Sequence, residues 1–278
     1  MLSLKKLPLR HEIRRSSAEA ERRRIKKQAI KLVRQAGNLL LAEYKQGRIN
    51  HLRFKSKHEI VTAADLISEK IILKGLNKLT PNYRIISEEN GDNRKKSDWL
   101  WLVDPLDGTT NFYMGNPLFA VQIALVYKNE PQLGIIYAPA INEFYLAEKG
   151  QGAYLNNKKI KVSQNNLKQA LLTYCHGNSQ ADLKRALKIY QHFKLSNFDI
   201  RQIGSAALEF GWVAKGRTDC YISPGARLWD VVPGALLVKE AGGKIYDFKG
   251  KPWTLNSKTV FASNGVIDKA ILNFLKKL

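Results

Sequence analysis

The 278-residue chain is 44% hydrophobic and 25% charged, ordinary proportions for a globular protein with room for one large domain or two packed ones. Its net charge of +22 is unusual, and a surface that basic draws polyanions: phosphorylated substrates, nucleic acid or anionic lipid. No apolar run approaches the roughly 18 residues of a membrane-spanning helix, and residues 1–24 lack the apolar stretch of a secretory signal, so a transmembrane segment is excluded and a cytoplasmic location expected.

Lysines and arginines crowd the first 27 residues against only Glu12, Glu19 and Glu21, which reads as a solvated, disordered basic arm over 1–24. Ser16-Ser17-Ala18-Glu19 has the form of a capping box and predicts a helix start. Apolar residues from Ile25 to Ala42 recur at helical spacing, giving a long amphipathic helix to about Tyr44. A second helix is predicted over 63–79, with Pro81 beyond its end. Runs rich in β-branched and aromatic residues follow at 84–87, 99–103, 120–127, 133–138, 144–148 and 153–162. They predict an antiparallel sheet with Asn156-Asn157 at a hairpin tip. After Val162 short buried strands (171–175, 198–200, 220–222, 244–246, 260–263) alternate with helices (181–193, 205–215, 231–240, 267–275). An α+β half over 25–162 and an α/β half over 163–278 that completes the site are therefore expected. Cys175 and Cys220 have no metal-ligand spacing and read as structural thiols of a reducing compartment.

The most informative segment runs from Trp99 to Asn111. An apolar strand enters Asp104, Pro105, Leu106 and Asp107, and then a Gly108-Thr109-Thr110 turn. Two acids ending a buried strand are costly unless neutralised, and a hard divalent cation does that well. Read alone, the same residues also fit a turn whose acids cap a helix. Glu88-Glu89 follows another apolar strand. Asp65 lies at the start of the second helix after Thr62, and Asp230 opens a later helix in the manner of an N-cap, with Pro233 in its first turn. Each is bland singly. Together they form a metal cluster if the fold gathers them, which periodicity does not reveal.

Asp104-Pro-Leu-Asp107-Gly-Thr-Thr-Asn111-Phe112, Trp229-Asp230, Glu240-Ala-Gly-Gly243, Val61-Thr62-Ala63-Ala64-Asp65 and Glu88-Glu89 resemble, in order and spacing, the motifs of the inositol monophosphatase family. The likeness extends from about Ile25 to the C-terminus. It implies the layered αβαβα sandwich of the sugar-phosphatase type, shared with fructose bisphosphatase, and a Mg²⁺-dependent phosphomonoesterase acting on inositol monophosphate or a similar small polyol phosphate. By the same resemblance Glu88, Asp104 and the Leu106 carbonyl hold one Mg²⁺, Asp104, Asp107 and Asp230 a second, and Glu88 a weaker third. Thr109 paired with Asp65 activates the attacking water beside Glu88, the Gly108 and Thr109 amides bind phosphate, and Asn178, Gly204, Ser205 and Ala206 contact the alcohol. The implied reaction is in-line attack by a metal-activated water, with no Ser or Cys nucleophile. A homodimer is implied as well. Ser223 stands where inositol-selective members carry an acid seven residues before the Trp-Asp aspartate, which weakens the case for inositol itself. Activity on a 3′(2′),5′-bisphosphate nucleotide, fructose 1,6-bisphosphate or histidinol phosphate stays open.

A reading of another class gives the basic arm a role in weak binding to RNA, a nucleic-acid-associated complex or an anionic surface, although no aromatics are interleaved there for base stacking. No Gly-x4-Gly-Lys-Ser/Thr loop occurs, and Gly150-x-Gly152 lies between strands, as a turn does. His11, His51, His58, His176 and His192 fall in no motif and are expected at the surface.

Overall fold

Residues 10–47, 53–54, 60–177, 179–225 and 227–278 are described by the structure, a computed structural model. α1 (Arg10–Lys45) lies against α2 (Ala63–Leu79), and between them β1 (Arg53–Phe54) pairs with β2 (Ile60–Val61). Ile25, Ala29, Val33, Ala36 and Leu40 are the buried stripe of α1, three or four residues apart as one helix face requires. The helix opens at Arg10 and not at the predicted serine box, so residues 10–24, assigned to a disordered arm from sequence, are helical in backbone. Arginine, glutamate, lysine and alanine flank the two serines, and two middling residues cost too little to end a run of strong helix formers. The rest of the arm, residues 1–9, lies outside the described residues.

β3 (Arg84–Ser87), β4 (Gly91–Asp92), β5 (Trp99–Asp107), β6 (Ala120–Tyr127), β7 (Glu130–Ala138), β8 (Glu143–Glu148), β9 (Gly152–Leu155) and β10 (Lys158–Lys159) form one sheet in the order β10-β9-β8-β7-β6-β5-β3-β4. The predicted strand over 153–162 is split by Asn156-Asn157, both left-handed at φ 48° and 65°, as a two-residue hairpin loop requires. The expectation of an antiparallel sheet fails at one pairing. β3 and β5 run parallel, with Ser87 opposite Val103. Parallel partners end at the same edge, so Glu88 leaves the sheet beside Asp104.

β6 is buried on both faces. Val121, Ile123 and Leu125 join the core under α1 and α2, while Ala120, Ala124 and Val126 join a second core on the other face. That second core is filled by α5 (Ala206–Lys215) and α6 (Leu228–Glu240). Beyond them lies a second sheet of β11 (Leu171–Tyr174), β12 (Asp199–Arg201), β13 (Cys220–Ser223), β14 (Lys244–Tyr246) and β15 (Val260–Ser263), in the order β12-β11-β13-β15-β14. Its outer face packs on α4 (Gln180–Leu195) and α7 (Asp268–Leu275) through Ile189, Phe193, Ile271 and Leu275. The layers are thus α1/α2, sheet, α5/α6, sheet, α4/α7, the αβαβα sandwich.

α6 differs from its predicted start. Arg227 is the N-cap residue, Asp230 sits inside the first turn, and Pro233 lies past it in the helix interior. An acid in the first turn still complements the helix dipole, which explains why the sequence signal looked like a cap. α6 comes close enough to β7 that a Cβ on Gly134 would stand 2.6 Å from the Pro233 carbonyl oxygen. His176 and His192 are exposed, the latter stacked on Phe274 with ring centroids 3.8 Å apart. His51 and His58 lie outside the described residues.

Candidate active site

The site grows from the end of β5. Asp104 stands opposite Gln122 and Asp107 opposite Ala120, so the strand bulges at Pro105-Leu106. A bulge frees backbone groups from the ladder, and proline has no N–H to leave unpaired. Asp104 is 1% exposed. One carboxylate oxygen accepts from the Leu106 amide at 3.2 Å and the other from Gln122 Nε2 at 3.1 Å. Burial pushes its pKa well above the usual carboxylate range, and the charges of Glu88, Asp107 and Asp230 push it further. Four acids from three segments distant in sequence therefore share one electrostatic neighbourhood.

Asp107 reaches across to the other half of the chain. Its carboxylate accepts the Ser205 hydroxyl and the amides of Ala206 and Ala207, at 3.2 and 2.9 Å, which caps the start of α5. Burial raises its pKa to about 6 against those bonds. Gly108 follows at φ 81°, where an added Cβ would meet the Leu118 carbonyl oxygen at 2.8 Å, so only glycine makes this turn without strain. It opens the short helix α3 (Thr109–Tyr113). Asn111 ties the turn to the second half by donating to the carbonyls of Leu118, Ile203 and Gly204 at 2.8, 3.0 and 3.3 Å.

The N-terminal turns of α2 supply a further side. Thr62 and Asp65 form a reciprocal capping box. The other oxygen of Asp65 lies 3.3 Å from the Thr109 hydroxyl, which is also 3.0 Å from the Leu106 carbonyl. Burial raises the Asp65 pKa to about 6, opposed by its bonds to Thr62. Ser68 donates to the Pro105 carbonyl at 2.8 Å, and Glu69, fully buried, accepts from the loop that carries Glu88. Glu88 is partly exposed, and its carboxylate lies 3.6 Å from the Arg227 guanidinium.

Beside Asp107 and Asp230 a cavity of about 140 Å³ is lined by Gly204, Ser205, Ala206, Ser223, Cys175 and His176, among others. Ser223 spends its proton on the Gly225 carbonyl at 2.6 Å. Burial pushes the Cys175 thiol up to about 12, so it offers no thiolate for attack. Asn178 lies outside the described residues. The structure thus brings together Asp65, Glu88, Asp104, Leu106, Asp107, Gly108, Thr109 and Asp230, with Gly204, Ser205, Ala206 and Ser223 along one wall. Sequence reading missed Ser68, Glu69, Gln122 and Arg227. For Ser68 and Glu69 a signal existed, since they lie three and four residues past Asp65 on the same helix face.

A family model described as the inositol monophosphatase family matches residues 21–277. The chain belongs to this family. It is accordingly a phosphatase, a phosphoric monoester hydrolase. It is 36% identical over 251 residues to fructose-1,6-bisphosphatase/inositol-1-monophosphatase of Thermotoga maritima, covering 90% of this chain and 95% of that one. It is 40% identical over 225 residues to Nus factor SuhB of Xylella fastidiosa, covering 80% and 81%. The crystal structure of extragenic suppressor protein suhB from Bartonella henselae superposes with a TM-score of 0.84 at 32% identity, covering 91% and 98%.

Inositol monophosphatases are in general metal-dependent. Among the described residues no three His, Cys, Asp or Glu side chains form a finished metal cage. The donor set nevertheless fits a hard cation. It is oxygen only, and Asp104 is a buried carboxylate whose protein neighbours raise its pKa instead of neutralising it.

Proposed function

We propose that this chain is a Mg²⁺-dependent phosphomonoesterase that hydrolyses inositol monophosphate or a similar small polyol phosphate. The observation that carries the reading is the buried Asp104 carboxylate, raised by Glu88, Asp107 and Asp230 beside a glycine turn. Glu88, Asp104 and the Leu106 carbonyl would hold one Mg²⁺, Asp104, Asp107 and Asp230 a second, and Glu88 a weaker third. Bound there, Mg²⁺ supplies positive charge against the phosphate oxygens and makes a water more acidic.

The chain's own groups do the rest. The Gly108 and Thr109 amides at the start of α3 would bind the phosphate. The Thr109 hydroxyl has one proton and two acceptors in reach, Asp65 and the Leu106 carbonyl. Donating that proton to Asp65 as a hydrogen bond leaves the Thr109 lone pairs to accept from a water and orient it toward phosphorus. As the water attacks, its proton passes to the Thr109 oxygen and the hydroxyl proton passes on to the Asp65 carboxylate. Gly204, Ser205, Ala206 and Ser223 line the cavity for the alcohol. A relative named fructose-1,6-bisphosphatase/inositol-1-monophosphatase keeps a sugar bisphosphate among the candidate substrates.

A phosphate-release panel tests the reading: inositol 1-phosphate, fructose 1,6-bisphosphate, adenosine 3′,5′-bisphosphate and histidinol phosphate, each with Mg²⁺ or chelator. Turnover of at least one ester that needs Mg²⁺ is expected. Metal-independent turnover, or none on any ester, defeats the proposal.

A second reading adds to the first. A relative is named Nus factor SuhB, the net charge is +22, and residues 19–24 of α1 are exposed and rich in arginine. We propose an accessory interaction of this helix with RNA or an RNA-bound complex. Gel-shift affinity for RNA is expected to fall steeply with salt and with alanine at Arg14, Arg15 and Arg23. No shift at low salt removes the idea. A cytoplasmic homodimer is proposed with it, and light scattering on the purified chain decides the oligomer.

A further inference from the structure

Of the buried carboxylates outside the ligand sets named above, Glu69 is the one that grips the loop carrying Glu88. Glu69, in the second turn of α2, is 0% exposed and takes four hydrogen bonds. One oxygen accepts the Ser87 hydroxyl, the Glu89 amide at 3.2 Å and the Asn90 amide at 3.0 Å, and the other accepts the Asn90 side-chain amide. A carboxylate offers about four lone-pair sites and no proton, so Glu69 is saturated by neutral donors.

All four donors belong to one hairpin: Ser87 ends β3, and the Glu89 and Asn90 groups lie in the loop that follows. β3 pairs with β4 so that Ser87 faces Gly91, which leaves Glu88, Glu89 and Asn90 as a three-residue hairpin loop closed by Gly91 at φ 71°. Such a loop turns amides inward with no strand partner, and buried amides need an acceptor. Glu69 fills that interior. The donors bracket Glu88 on both sides, while the Glu88 amide goes to the Val103 carbonyl at 3.1 Å and its carboxylate lies toward Arg227.

We infer that Glu69 is the positioning residue for Glu88: by holding Ser87, Glu89 and Asn90 it fixes the hairpin loop that aims Glu88 at Asp104. Without that hold, repulsion from Asp104 and its acidic neighbours favours any loop conformation that swings Glu88 outward. The inference rests on the proposed reading of Glu88 as a metal ligand. Glu69 touches neither substrate nor cation and acts through the loop. Its geometry also predicts a graded series. Glutamine at 69 keeps one acceptor oxygen for the Ser87, Glu89 and Asn90 bonds, and Asn90 turns its amide over to accept from the new NH₂. Alanine removes all four acceptor positions.

The test compares full-length wild type, Glu69→Gln and Glu69→Ala, with Glu240→Gln as control. Glu240 is another carboxylate that accepts two loop amides, Gly150 at 2.8 Å and Gly152 at 2.7 Å. Hydrogen exchange at the Glu89 and Asn90 amides, measured with chelator present, is expected to speed up by at least about tenfold in Glu69→Ala and less in Glu69→Gln. The Mg²⁺ concentration for half-maximal phosphate release is expected to rise about ten- to a hundredfold in Glu69→Ala, with kcat at saturating Mg²⁺ nearly kept and the glutamine variant between. Glu240→Gln leaves the Mg²⁺ midpoint unchanged. Exchange and midpoint within twofold of wild type in both Glu69 variants overturn the inference, as does a loss of kcat at an unchanged midpoint. If Glu69→Ala does not fold, Glu69→Gln decides on both readouts. A wild type that needs no Mg²⁺ defeats the ligand reading, and with it the aiming of Glu88, whereas the exchange rates then report separately on whether Glu69 holds the loop.

Discussion

Asp104 shows how a single side chain bears several demands. It is held by the Leu106 amide and Gln122, buried, and pushed toward protonation by three acids. Asp104→Asn keeps the shape and drops the charge. Turnover is expected to fall by more than about a hundredfold, beyond the usual loss for a group that merely supports a ligand. The melting temperature should hold or rise, because burial penalises the charged form. Steady-state rates and a thermal melt check both, and near-wild-type turnover removes Asp104 from the ligand set. Ser223 gives a second test. Its hydroxyl is spent on Gly225, so position 223 adds no carboxylate of its own to Asp107, Glu209 and Asp230 in the cavity wall. Ser223→Glu is expected to lower KM for inositol 1-phosphate roughly tenfold relative to a simple aryl phosphate, the gain of one charge-assisted hydrogen bond. Equal KM ratios in mutant and wild type count against an alcohol site there. Asp104 and Asp107 were legible in sequence because a strand ending in two acids violates a burial rule. Glu69 was legible only as lying on the Asp65 face of its helix, since glutamate on a helix otherwise reads as solvated until its neighbours are known.

Elements decide where those side chains meet. The Thr62–Asp65 box fixes the start of α2, and the next turn of the same face reaches Pro105 and the loop after β3. The sequence outlined α2, β6 and the Asn156-Asn157 hairpin from period and turn chemistry, both of which are local. It did not reveal that β3 lies parallel to β5, a pairing between segments separated by a loop and settled by how the sheet closes over α1 and α2. α6 is held by its approach to β7 at Gly134. Gly134→Ala forces that helix outward and moves Asp230 with it. A loss of about 1–3 kcal/mol in unfolding free energy is expected, as for overpacking elsewhere, with a weaker response to Mg²⁺. Denaturant unfolding and a Mg²⁺ titration measure the two effects, and an unchanged midpoint in both shows that α6 adjusts without cost.

Across the whole molecule the acids couple stability to pH. Asp65 and Asp107 titrate near 6 in the folded chain, and Asp104 is raised further, whereas an unfolded aspartate titrates near 3.9. Between about pH 4 and 6 the folded state keeps protons that the unfolded state has released. These groups therefore stabilise the fold most below about pH 4, and that contribution is lost as pH rises through about 6. A cation that binds the ionised carboxylates competes with the same protons. The gain in melting temperature on replacing chelator with Mg²⁺ should accordingly be larger at pH 7.5 than at pH 5. Equal gains at the two pH values would show that the acids do not share a cation site.

Local information was enough to determine the helix faces, most strands, the glycine turn after Asp107 and the order of the acidic motifs, because each depends on residues within a few positions of one another. Only the tertiary structure decided that Glu88 stands beside Asp104, that Asp107 caps α5 from the other half of the chain, and that Glu69 fills the hairpin loop. Those contacts join residues up to a hundred positions apart. They exist because two sheets and three helical layers must bury their apolar faces together, and no stretch of sequence encodes that closure alone.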